Sequence, residues 1–218
     1  MRSNLAGNVG RGMSCNFAFP VAFDFGEVID AFDGTQITLG AVDRQNRAVF
    51  ESYFNPPGAF ALSLPFYFDR QHNLMSRYRN LINFGALVGA EPNGVIELRG
   101  DPLTGRPFTW TLGDEDRRNI KYAFTTLLEL GRLAGATRGV LPTEPGLEIP
   151  LTVPELERFK RELNNYPLQM SDLRLTTAHP QGGNRMIGDQ SARRRERVEE
   201  GLSHRRCDQR LTATEPCH

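Results

Sequence analysis

Between Phe17 and Phe25 the chain reads Phe-Ala-Phe-Pro-Val-Ala-Phe-Asp-Phe, with large apolar residues at every odd position. A period of two sends alternate side chains to opposite faces of an extended chain, so this stretch is a β-strand with one apolar face. An aromatic row of this kind builds a core more often than it lines a ligand pocket. Pro20 has no N–H to give to a ladder, which places the strand near a sheet edge. Whatever the fold, another layer must cover Phe17, Phe19, Phe23 and Phe25.

The next segments supply that sheet. Asp33-Gly34 makes a turn, and Gln36 to Leu39 and Ala48 to Phe54 read as strands, the second ended by Asn55-Pro56-Pro57-Gly58. Glu51 lies within the second, where a carboxylate usually faces solvent. Leu74, Tyr78, Leu81 and Ile82 share a face at helical spacing and predict a short amphipathic helix. His72, just before it, has no partner at a metal-ligand spacing and reads as a surface or cap residue. Ala86-Leu87-Val88 and Val95 to Leu98 form a hairpin across Pro92-Asn93-Gly94, and Phe108 to Leu112 returns after a turn at Asp101 to Gly105. Tight connections of this kind demand antiparallel pairing.

Two helices follow. Asp114 caps one running to Leu133, whose buried stripe is Ile120, Phe124, Leu127, Leu128 and Leu130. Thr152-Val153-Pro154-Glu155 has the form of a capping box and opens a helix to Leu163, stopped by Asn164-Asn165-Tyr166-Pro167. Leu173 to Thr177 is the last strand. The fold class is α+β: a largely antiparallel sheet with helices on one face.

The bulk composition excludes several function classes. Lysine plus arginine equals aspartate plus glutamate at 26 each in 218 residues, so no overall charge draws the chain to nucleic acid. No run approaches the roughly 20 apolar residues of a membrane span. Met1 to Gly12 is polar and glycine-rich, without a signal-peptide core, which points to the cytoplasm. Cys15, Cys207 and Cys217 make neither a disulfide framework nor a zinc ligand set, so no metal is expected. Gly7 to Gly12 is glycine-rich but follows no strand and does not satisfy Gly-x-Gly-x-x-Gly.

The candidate site is the string His179-Pro180-Gln181-Gly182-Gly183-Asn184-Arg185-Met186. Proline pushes the residue before it into extended geometry, so His179 stands where a strand ends. Gly182 and Gly183 behind it allow positive φ or a close approach of backbone to a ligand. On its own this is an imidazole projecting over a bare turn, and a structural histidine ending a strand has the same look.

Several stretches together resemble the glucose–methanol–choline (GMC) oxidoreductases, flavoenzymes that oxidise alcohols. Val9 to Met13 looks like the passage from that family's flavin-binding to its substrate-binding domain. Glu51 through Pro56-Pro57-Gly58 and Leu64-Pro65 resembles a strand and loop of its substrate domain. The order from Gly94-Val95-Ile96-Glu97 to Ala134-Gly135-Ala136 is similar, and His179 to Met186 fits the family's His-Pro-x-Gly-(Gly/Thr)-x-x-Met string. The resemblance implies that residues 1–186 are a substrate-binding portion, with His179 as the catalytic base and Gly182 and Gly183 beside the cofactor, FAD. It implies an alcohol substrate, an apolar one suiting the 14 phenylalanines and 5 tyrosines, although such residues more often build core. It also implies that FAD is held by a flavin-binding domain outside this chain. The alternative is a non-catalytic truncated remnant, or a subunit that works only with a separate FAD-binding chain.

After Met186 the pattern departs from the family. Residues 187–218 are polar and arginine-rich, with few apolar side chains, and are expected to be disordered. Shifted by one base, codons available to His204 through Asp208 permit Ile-Ala-Asp-Ala, so a shifted reading frame is one account of this tail. A nucleic-acid arm is diluted by Glu196, Glu199, Glu200 and Asp208, and His204, Cys207, Cys217 and His218 have no fixed geometry for a metal.

Overall fold

The structure is a computed structural model, and it describes residues 9–97 and 107–183. The turn expected at Asp101 to Gly105, the end of the histidine string from Asn184, and the tail lie outside the described residues.

In chain order the strands are β1 (Arg11–Asp24), β2 (Ile37–Asp43), β3 (Ala48–Tyr53), β4 (Leu81–Gly89), β5 (Gly94–Ile96), β6 (Phe108–Thr109), β7 (Arg138–Leu141), β8 (Leu147–Pro150) and β9 (Pro180–Gln181). The helices are α1 (Pro57–Ser63), α2 (Phe68–Met75), α3 (Asp114–Leu133) and α4 (Val153–Asn165). All pairings between these strands are antiparallel. The result is the α+β arrangement that the alternating pattern called for.

β1 is not an edge strand. It runs along β4 from Asn16↔Gly89 to Asp24↔Leu81, and β5 continues the same course at Met13↔Gly94 and Arg11↔Val95. Its other side meets β9 at Ser14 and Cys15, Thr176 at Ala18, and β7 from Ala22 to Asp24. In an antiparallel ladder, backbone groups of alternate residues point to opposite neighbours. Ala18 N–H donates to the Thr176 carbonyl, so Pro20, two residues on, directs its missing donor toward that same side. Pro20 falls between the Thr176 bridge and the β7 pairing, where β1 has no ladder partner on that side among the described residues. The proline is tolerated in a central strand because its neighbour is absent at that one position.

The odd-numbered side chains of β1 face α3. Phe19 and Val21 are wholly buried, and the Phe19 ring meets Phe124 edge-on at 5.1 Å. Phe17 packs against Trp110 at 5.4 Å. α3 buries Ile120, Ala123, Phe124, Leu127 and Leu128, while Leu130, expected in the same stripe, is 41% exposed. α4 extends the layer with Leu156, Phe159 and Leu163. Burial contributes about 2 kcal/mol for each large side chain removed from water, and this face dominates the fold's stability. On the opposite face α1 and α2 close one corner, packing Phe60, Leu64 and Leu74 on Ala22, Leu81 and Val140. Asp24, buried at that corner, is paired with Arg77 and with Arg138.

Local competition explains the other differences. Leu81 and Ile82 do not continue a helix: α2 stops at Met75, a 3₁₀ turn spans Tyr78–Asn80, and Leu81 opens β4. Pairing with both β1 and β3 outweighs a short stretch of helical periodicity. β4 and β5 are not a hairpin, since both lie along β1. The cap of α3 is Gly113, whose N–H donates at 3.0 Å to Asp116, not a cap formed by Asp114. Thr152 occupies the cap position of α4 but makes no side-chain capping bond. Leu173 to Thr177 is no continuous strand; it pairs only at Leu173 with Thr143 and at Thr176 with Ala18.

Gly131 of α3 tests the α3–β1 packing. Alanine is favoured over glycine in a helix by about 1 kcal/mol. A Cβ there would stand 2.1 Å from the Phe23 ring, and overpacking costs about 1–3 kcal/mol. Gly131→Ala is therefore expected to lower stability by about 1 kcal/mol in urea unfolding. A gain would show that Phe23 does not lie against this turn.

Candidate active site

The face of the sheet away from α3 has a hollow of about 210 Å³ that the described residues leave open. Its floor is made by Ala18 and Pro20 of β1 and Gly85 and Leu87 of β4. Glu51 and Tyr53 of β3 stand along one wall, and Ala178 and His179 along another. Small floor residues make the depression: an ideal Cβ on Gly85 would lie 2.7 Å from the Tyr53 ring, so the ring rests on the strand itself.

His179 reaches the hollow through a local irregularity. Ala18 pairs with Thr176 and Cys15 with Pro180. Two β1 residues, Asn16 and Phe17, thus face three, Thr177, Ala178 and His179. One extra residue makes the segment bulge, which re-aims a side chain at the rim of a sheet. The His179 N–H donates to Thr177 Oγ1 at 3.1 Å, and the side chain is exposed. His179 is thus not the end of a long strand but the last residue of a bulge before β9.

Gly182 and Gly183 both have φ of +73°. They lie against the start of β1: Gly10 N–H donates to the Gly183 carbonyl at 2.6 Å. A Cβ on Gly182 would sit 2.3 Å from the Gly12 carbonyl oxygen. The chain's own backbone therefore demands glycine at 182, whatever else approaches it.

Sequence periodicity alone could have found the second wall. Glu51 and Tyr53 are two residues apart on one strand and so share a face; the reading of Glu51 as a solvated carboxylate left Tyr53 unnoticed. Burial, with Glu51 as a lesser contributor, pushes the Tyr53 phenol well above its ordinary value of 10.0. Both effects disfavour a phenolate, so Tyr53 stays a neutral donor. Cys15 lies beneath Thr177, and burial raises its thiol, keeping it protonated. His72, expected at the surface or as a cap, lies in α2 and is exposed.

The chain matches no protein-family model, and no curated protein matches it. Among the described residues no three His, Cys, Asp or Glu side chains stand together to hold a metal ion. No helix among them is long and apolar enough to cross a membrane.

The Tyr53 environment has a measurable sign. A phenol raised in the folded state stabilises it fully below pH 10.0, the unfolded value, and that contribution is lost as pH climbs through the folded value. Tyr53→Phe is expected to remove the latest-titrating tyrosinate absorbance and to flatten the alkaline fall in Tm above pH 10.0. An unchanged titration curve would place Tyr53 outside the hollow.

Proposed function

We propose that this chain is the substrate-side portion of a GMC-type flavoenzyme that oxidises an alcohol to a carbonyl, with His179 taking the hydroxyl proton. The observation that supports it is that His179 and Glu51, distant in sequence, line one hollow on the same face of the sheet. An imidazole in this position is a general base for the hydroxyl proton of an alcohol. Tyr53, kept protonated, offers a hydroxyl donor along the same wall.

The described residues fit the alcohol end of this reaction and not the dinucleotide. The hollow is smaller than the roughly 300–1,000 Å³ that encloses a drug-sized ligand. A pyrophosphate needs a glycine-rich turn at a helix N-terminus, and the first turn of α3 carries Asp114, Glu115 and Asp116, which repel it. In this reading a separate flavin-binding domain or chain closes over the face that bears the hollow and brings FAD to His179. The alternative is a truncated remnant that stays inactive even beside such a partner, and alcohol oxidation by the pair divides the two readings.

The test mixes the full chain with FAD, alone and with the translated products of neighbouring reading frames, and follows alcohol-dependent dye reduction. The chain alone is expected to retain no flavin, and the pair to oxidise primary or secondary alcohols. His179→Asn is expected to lower kcat about 10²–10⁴-fold. Stoichiometric flavin on the chain alone would overturn the two-part reading, and an unaffected His179→Asn would overturn the assignment of the base.

A further inference from the structure

Asn83 lies in the middle of β4, between β1 and β3, where it pairs with Ala22 and Tyr53. It is 1% exposed, and among the described residues neither its Oδ1 nor its Nδ2 has a hydrogen-bond partner. Native chains rarely leave both ends of a buried amide unpaired, and such a group points to a water, an ion or a ligand. Asn83 lines a small cleft together with Phe32, Phe60, Tyr78 and Leu81, with both amide atoms closed off from solvent. Tyr53 borders the His179 hollow and not this cleft, so the two are separate sites on one face.

The walls of the cleft are of two kinds. Tyr78 is fixed, its hydroxyl donating to the Asn55 carbonyl at 2.6 Å, and Phe60 meets its ring edge-on at 83°. Phe32 is stacked on Tyr78 at 5.4 Å and 12°, and is 41% exposed. The loop that carries Phe32 is anchored by Asp30, which accepts two hydrogen bonds from Arg79 at 2.7 and 2.6 Å. With the ring in place the cleft holds about 10 Å³, room for a single water. Were the ring to turn out, the face of Tyr78 that it covers would be open to another ring.

We propose that this cleft binds a compact aromatic molecule carrying a primary amide or hydroxyl. Its ring takes the place of Phe32 against Tyr78, and its polar group pairs with both ends of Asn83. The ring stacking supplies apolar contact, and the amide rejects ring molecules that would leave it unpaired. This site is independent of the His179 chemistry, and its loss would leave that reading untouched.

The test titrates the full chain with benzamide, with toluene as the ring without a polar group, and follows the Asn83 side-chain amide signals by NMR. Benzamide is expected to shift them saturably, and toluene is not. Phe32→Ala, which uncovers the face of Tyr78 at an exposed position, is expected to tighten benzamide a few-fold. Asn83→Leu is expected to weaken benzamide about tenfold while keeping or raising Tm, since it replaces an unpaired buried amide by an apolar group of similar size. Should Asn83→Leu fail to fold, the wild-type amide shift and the Phe32→Ala affinity decide. Asn83 signals that do not move, equal binding of benzamide and toluene, or a benzamide-soaked structure with only an ordered water on Asn83 would each overturn the proposal.

Discussion

The structure depends on the two-sided hydrogen bonding of β1. A strand that pairs on both edges must also hide its side chains on at least one face, and β1 does both over 14 residues. Its odd side chains carry the aromatic core against α3, and its even positions form the floor of the hollow and the seat of α1 and α2. A slip of one residue in β1 would exchange these sets and bury Ser14 and Asn16 where Cys15 and Phe17 now lie. Register, core and site are therefore one constraint and not three.

Strong periodicity was readable from the residues. The alternation at Phe17–Phe25 gave the face that is buried, and the 3.6-residue stripe from Ile120 to Leu128 gave the helix that covers it. Pairing partners were less readable, because they are set by contacts distant in sequence. Pro20 argued for an edge by a sound rule, yet the rule concerns one missing donor and the strand has another thirteen residues to pair. Leu81 and Ile82 fit a helical stripe by spacing, but two waiting strands decided their conformation.

Part of the site was legible and part was not. His179 stood out because of the proline and glycines that follow it. Glu51 was visible only as a carboxylate in a strand, and its companion Tyr53 was hidden in plain period-two spacing. Asn83 carried no mark at all: a polar residue within an apolar strand becomes notable only when every neighbour that might have paired with it is in place.

The bulge before β9 has a consequence for how this site can change. His179 faces the hollow because three residues there oppose two of β1. Substitution can remove the imidazole or alter its basicity, but it leaves the count intact. Deleting any one residue from Thr177 to His179 would let the segment close into a regular ladder, and what then faced the floor would be decided by number alone. The position is tolerant of chemistry and intolerant of length.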